Sequence, residues 1–96
     1  MLEDVWLKLV QKKVRRYLPA ADFKVFIFGS RATDTNRQFS DIDLGILGKE
    51  GVPGEKMILI EEVLENSSIP YKIDVVDFKK VSPEFRRIAL EKVINL

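Results

Sequence analysis

The chain has 96 residues, which is enough for one small folded domain (1–96) and too few for a second lobe. Apolar residues make up 46% and charged residues 32%, and the net charge is +1, so the composition fits a soluble globular protein without a general attraction for nucleic acid. The sequence contains no cysteine and no histidine, which excludes disulfides, thiolate zinc sites and histidine-based catalysis. Any metal ion must therefore be held by oxygen.

The first predicted elements are a helix and a strand. Apolar residues recur at helical spacing over residues 2–18, so we predict an amphipathic helix there. A β-branched and aromatic run over residues 23–28 predicts a buried strand, which Gly29 ends and after which Ser30 starts a short helix. The first helix carries a basic cluster of Lys12, Lys13, Arg15 and Arg16. We interpret this cluster as a solvated helix face, because no aromatic residues interleave with it to stack bases, and expect no direct binding of nucleic acid.

The second half of the chain is predicted to contain a strand, an exposed connection, a helix, a strand and a final helix. These elements span residues 42–47, 48–54, 56–65, 71–78 and 83–93. Ser82 and Pro83 mark the start of the last helix. The order α-β-α-β-α-β-α predicts an α/β (α+β) domain with a small mixed sheet flanked by helices. The apolar runs are too short to span a bilayer and no signal-peptide pattern is present, so we expect a cytoplasmic protein.

Aspartates interrupt two of the predicted strands. Asp41 and Asp43 are two residues apart, so on a strand both side chains leave the same face. Two carboxylates held together repel each other, and a divalent cation such as Mg²⁺ or Mn²⁺ removes this repulsion. Asp74 lies in a second apolar run that can pair beside the first, whereas Asp77 faces the opposite side and is expected to be exposed or to form a turn. The alternative is a solvent-facing strand edge that happens to carry acids.

The turn after the first strand has features of a phosphate site. Gly29 permits close backbone approach because it lacks a side chain, and the amides that follow open a helix whose N-terminus favours phosphate. Ser30 adds a hydroxyl donor. The alternative is a tight turn with a capping serine, and the nearby aspartates favour the phosphate site over this reading.

These motifs resemble a known family. The segments Gly29-Ser30-Arg31-Ala32 and Ser40-Asp41-Ile42-Asp43-Leu44, with Asp74 on a neighbouring strand, are similar to the signature of nucleotidyltransferases related to DNA polymerase beta. Within that superfamily they look most like the minimal nucleotidyltransferases of bacteria and archaea. The similarity covers residues 23–78. Many relatives have a second glycine where this chain has Asp34. This carboxylate could weaken nucleotide binding, which would favour a non-catalytic role, or it could point to solvent, as we expect because residues 33–38 are uniformly polar.

The resemblance implies a polymerase-beta-like fold and transfer of a nucleoside monophosphate, AMP from ATP, with two Mg²⁺ ions. Asp41 and Asp43 would hold Mg²⁺ on the triphosphate. Asp74 would help to hold the second ion and accept the proton of the attacking hydroxyl, and pyrophosphate would leave. The nucleotide would be bound by Gly29, Ser30 and Arg31, although Arg31 could equally be a surface residue or a partner contact.

The resemblance also implies a partner. Members of the minimal group are paired with HEPN-domain toxins, which they neutralise as antitoxins, and this short chain should leave part of the base and acceptor pocket to that partner. Trp6, or Phe85 with Ile88, could offer a docking face, unless these side chains pack against the sheet. A second function is a non-catalytic nucleotide-binding antitoxin that acts by complex formation. The sequence leaves open the acceptor, the base preference and whether the chain forms homo-oligomers.

Overall fold

Three helices and four strands make up the described part of the chain, residues 4–29 and 41–96 of a computed structural model. The helices are α1 (Asp4–Arg15), α2 (Gly54–Glu65) and α3 (Pro83–Ala89). The strands are β1 (Phe23–Phe28), β2 (Ile42–Gly48), β3 (Ile73–Asp77) and β4 (Ile94–Asn95). Within these residues, no helix is both long enough and apolar enough to cross a bilayer.

The strands form one mixed sheet in the order β3-β2-β1-β4. β1 pairs antiparallel with both β2 and β4, whereas β2 and β3 run parallel, joined by α2. This confirms the predicted small mixed sheet flanked by helices. It also confirms that the strand containing Asp74 lies beside the strand containing Asp43.

One face of the sheet is packed under two helices, and we call it the covered face. Its strand residues Val25, Ile27, Ile42, Leu44 and Ile46 are almost fully buried. α1 and α2 supply the opposing layer through Val10, Val14, Ile60 and Leu64. Because alternate strand residues point to opposite faces, this continuous apolar set determines the register of the sheet.

The opposite face, which we call the open face, carries Phe26, Phe28, Asp43, Gly45 and Asp74. Its apolar part is an aromatic cluster in which the Phe78 ring meets Phe26 and Phe28 edge to face, at centroid distances of 4.9 and 5.0 Å. Gly45 pairs with Phe26, whose ring occupies the space that a side chain at Gly45 would need. α3 is the helix that packs on this cluster, through Phe85 and Ala89.

The prediction for the C-terminal region was wrong after α3. The last helix was expected to continue to Val93, but it ends at Ala89, and the chain then forms β4. β1 has a second edge that β2 does not cover, so its backbone groups need partners there. Ile94 and Asn95 pair with this edge, and the Leu96 amide donates to the Val25 carbonyl at 2.8 Å.

The other predicted elements that fall on described residues are confirmed, most of them with shifted ends. α1 ends at Arg15 rather than residue 18, α2 begins at Gly54 instead of 56, and β3 is shorter than the predicted 71–78. Ser82 caps α3 as predicted, its hydroxyl accepting from the Phe85 amide at 3.1 Å.

One member of the basic cluster was misassigned. Arg15 is not a solvated residue of a helix face, because its guanidinium donates to the carbonyls of Phe23 at 2.8 Å and Leu96 at 2.9 Å. A third bond reaches the Leu18 carbonyl at 3.1 Å. Arg15 therefore ties the end of α1 to the sheet, whereas Lys12 and Arg16 are exposed as expected.

Candidate active site

The sheet register places two of the predicted site residues side by side, with Phe28 of β1 next to them. Phe28, the last residue of β1, pairs with Asp43 of β2, and Asp43 pairs with Asp74 of β3. All three belong to the open face. Asp41 is exposed and lies immediately before β2, two residues from Asp43. The structure thus brings the two sequence-distant aspartates, Asp43 and Asp74, to neighbouring positions.

Gly29 is required where β1 ends. Its φ is 75°, a left-handed conformation that side-chain-bearing residues rarely adopt. A Cβ at this position would collide with the Asp43 carboxylate. The missing side chain therefore lets the Asp43 carboxylate lie close to the Gly29 backbone. The predicted approach of a phosphate to Gly29 stays a prediction.

The charges of the aspartates act on one another. The pKa of Asp43 is raised above its ordinary value of 3.8, first by burial and then by the negative charges of Asp74 and Asp41. Each cause disfavours the ionised form of Asp43. The site therefore concentrates negative charge that a cation would stabilise.

Lys72 is a site neighbour that the sequence reasoning missed. Its ammonium lies 3.8 Å from a carboxylate oxygen of Asp74, and both side chains are substantially exposed. The signal was present in the sequence, because Lys72 precedes Asp74 by two residues and alternation along a strand puts such residues on one side. This exposed pair is weak, since solvent screens it.

The carboxylates of the site aspartates do not form a complete set of metal ligands. Across residues 4–29 and 41–96, no group of three acidic side chains is arranged so that it could hold a metal ion. Metal binding by Asp41, Asp43 and Asp74 would thus require their side chains to turn toward one another. The register and the raised pKa of Asp43 nevertheless fit a hard cation, and the available donors are oxygens.

Asp77 has a structural role. It lies opposite to Asp74, on the covered side, as predicted, but the expectation that it is exposed was wrong, because only 6% of its surface is accessible. Its carboxylate accepts from the amides of Val52 at 2.8 Å and Lys79 at 3.0 Å. The second bond forms the predicted turn, and the first fastens the segment before α2 to β3.

Three predicted features lie outside the described residues. They are the phosphate ligands Ser30 and Arg31, the short helix that Ser30 was expected to start, and Asp34 at the place of the second glycine. Their roles stay predictions.

The fold and the motifs agree with the sequence comparison. The chain belongs to the polymerase beta nucleotidyltransferase family, whose sequence pattern matches residues 12–96. Gly29 and the site aspartates Asp41, Asp43 and Asp74 fall within this match.

Individual relatives extend the comparison. The chain is 29% identical over 82 residues to MntA, a probable protein adenylyltransferase of Haemophilus influenzae. The matched segment covers 85% of this chain and 70% of that protein. One chain of a toxin-antitoxin complex with AMP-PNP has a similar fold, with a TM-score of 0.74 and 20% sequence identity. The match covers 92% of this chain and 69% of that chain.

A third relative comes from Shewanella oneidensis. It is one chain of a complex between a tri-AMPylated HEPN toxin and an MNT antitoxin, and it matches this chain with a TM-score of 0.72 and 17% identity. The match covers 98% of this chain and 71% of that chain. Similarity at these identities establishes the fold.

Proposed function

We propose that this protein transfers AMP from ATP to a hydroxyl group of a HEPN-domain partner protein, and thereby acts as its antitoxin. The observation that carries the proposal is the alignment of Gly29, Asp43 and Asp74 at neighbouring strand ends. A phosphate-binding turn beside paired carboxylates suits a nucleotide bound with a divalent cation.

Each residue has a separate role in the proposed reaction. Asp41 and Asp43 would hold Mg²⁺ on the triphosphate, and Asp74 would share in holding a second ion. Bound Mg²⁺ supplies positive charge that stabilises the phosphates and the leaving pyrophosphate. Gly29 with Ser30 and Arg31 would bind the phosphates next to this charge.

The proposed transfer is a substitution at the α-phosphorus of ATP. The acceptor oxygen forms a bond to the α-phosphorus while the bond from that phosphorus to the bridging oxygen of the β-phosphate breaks, and pyrophosphate leaves with the bonding electrons. Asp74 accepts the hydroxyl proton. Its position on β3, beside Asp43 on β2, supports this division of roles.

The relatives support the choice of nucleotide and acceptor. The Haemophilus influenzae protein is named a protein adenylyltransferase, and the Shewanella oneidensis complex contains an AMPylated HEPN toxin. The binding of AMP-PNP in another complex of this fold supports ATP as the donor.

A non-catalytic antitoxin is the second candidate function. One observation favours it: the Lys72 ammonium already lies 3.8 Å from the Asp74 carboxylate, where the second ion would bind. In that case the protein would neutralise its partner by complex formation alone.

A transfer assay separates the two functions. The protein is mixed with Mg²⁺, the proposed HEPN-domain partner and ATP labelled at the α-phosphate, with γ-labelled ATP as the control for phosphoryl transfer. We expect α-label alone on the partner. Asp74→Asn should reduce the rate by about 10²-fold or more, the usual effect of losing a proton acceptor, whereas the exposed control Asp22→Asn should not. A tight complex without label would refute the enzyme and support the binding function.

A further inference from the structure

A cavity of about 650 Å³ opens on the open face next to the aspartates. Phe28 and Val76 of the sheet form one side, and Phe85 and Ile88 of α3 form the other. Gly29 and Asp43 line the same cavity. The space beside the proposed phosphate turn is thus continuous with an apolar pocket that the chain builds from its own residues.

The apolar wall on α3 is held in place but not buried. No residue of α3 is buried, and Phe85 and Ile88 are 44% and 59% exposed. The helix is nevertheless fixed, because Ser82 caps it, the Phe85 ring meets Phe28 edge to face at 6.0 Å, and Arg86 donates to the Phe78 carbonyl at 2.7 Å. A ligand could therefore cover this apolar surface without first ordering it.

We propose that this cavity binds the purine ring of the nucleotide, an inference that rests on the proposed function. Its volume falls in the range of about 300–1,000 Å³ that is usual for small-molecule sites. Aromatic and aliphatic walls suit a planar ring, which stacks on phenyl groups. The contiguity with Gly29 and Asp43 allows one nucleotide to extend from the phosphate turn into the pocket.

This assignment changes which of the two proteins is expected to bind the base. The sequence suggested that the partner supplies part of the base pocket. The structure assigns the base to this chain and leaves the acceptor to the partner. Glu91 and Lys92, which also line the cavity, provide polar groups for the edge of the ring.

The test compares a ligand that has a base with one that lacks it. Binding of ATP and of inorganic tripolyphosphate, each with Mg²⁺, is measured by calorimetry on the whole chain. We expect the wild type to bind ATP at least about tenfold more tightly, because stacking of one base on an aromatic side chain corresponds to roughly that factor or more.

Two variants with opposite changes in volume address the pocket. Phe85→Ala removes the stacking surface, and Ile88→Trp fills the cavity from an exposed position that tolerates a larger side chain. Both should weaken ATP binding about tenfold and leave tripolyphosphate binding within twofold. Ile58→Ala and Leu59→Ala, which shorten exposed apolar residues of α2 on the other side of the sheet, are the matched controls and should change neither affinity.

The outcomes distinguish this inference from the proposed function. Unchanged ATP affinity in both pocket variants, or equal affinity of the wild type for ATP and tripolyphosphate, would overturn the base pocket while leaving nucleotide binding in place. Loss of partner binding with unchanged ATP affinity would assign the cavity to the partner instead. If the wild type binds neither ligand, the proposed function itself fails, and the base pocket with it.

Discussion

The two faces of the sheet are built for different tasks. The covered face is an aliphatic layer under α1 and α2 whose strand residues are almost completely buried. The open face has a smaller aromatic cluster under the seven-residue α3, and beside it lie the aspartates and the cavity. Burial of apolar surface is the main source of stability. The well-packed covered face therefore supplies stability that allows the open face to keep mutually repelling acids and exposed apolar side chains.

The largest expected effect concerns packing on the open face. Gly45→Ala should lower the free energy of unfolding by about 3 kcal/mol, the upper end of the usual cost of overpacking, because the new Cβ would collide with several atoms of the Phe26 ring. Gly54→Ala is the matched control, since a Cβ there meets nothing within 4 Å. Urea denaturation of both variants provides the measurement. Equal stabilities would contradict the tight fit of the aromatic cluster against β2.

Acids on opposite faces should respond differently to removal. Asp77→Ala should cost about 2 kcal/mol, because it leaves the buried Val52 amide without its acceptor. Asp74→Ala should change the free energy of unfolding by less than about 1 kcal/mol, since its ion pair with Lys72 is exposed.

Thermal and urea unfolding of the two alanine variants, together with Mg²⁺-ATP binding, makes this comparison direct. Asp77→Ala should lose stability and keep nucleotide affinity in the folded fraction. Asp74→Ala should keep its stability and bind Mg²⁺-ATP more weakly. If both variants lost the same amount of stability, the assignment of one acid to structure and the other to the site would be wrong.

The smallest effect is a gain in stability that depends on pH. Because the folded-state pKa of Asp43 is raised, ionisation of this group opposes folding as pH rises from about 3.8 through the folded-state pKa. Asp43→Asn should therefore be more stable than the wild type at neutral pH, by less than about 1 kcal/mol, and the difference should vanish below pH 3.8.

Urea unfolding between pH 3 and 8, with a chelator to remove divalent cations, measures this gain. Asp22→Asn is the control, because it removes the same charge at the opposite end of β1, away from Asp41 and Asp74. A gain at neutral pH that is equal in the two variants would show that net charge, rather than the cluster, is responsible.

Local patterns predicted most of the fold and part of the site. The aromatic run before Gly29 and the Ser82 cap are local signals, and each was found where the sequence indicated. The neighbouring positions of the strands that contain Asp43 and Asp74 were also predicted, whereas the register that pairs these two residues was not.

Interactions between distant segments explain the rest. β4 has only two residues, so it carries no periodic signal, and its place depends on the free edge of β1. Asp77 accepts a hydrogen bond from an amide 25 residues away, and Arg15 donates one to a carbonyl 81 residues away. The cavity between α3 and the sheet likewise depends on how a short helix packs, which spacing along the chain does not specify.

The central claim is that aspartates on the open face bind a nucleotide with its cation. Calorimetric titration of Mg²⁺-ATP into the wild type and the double variant Asp41→Asn with Asp43→Asn tests it most directly. Because the substitutions keep the side-chain shape and remove repulsion, the double variant should remain folded and at least as stable. Metal-dependent ATP binding should be lost in this folded variant. Unchanged affinity would contradict the central claim.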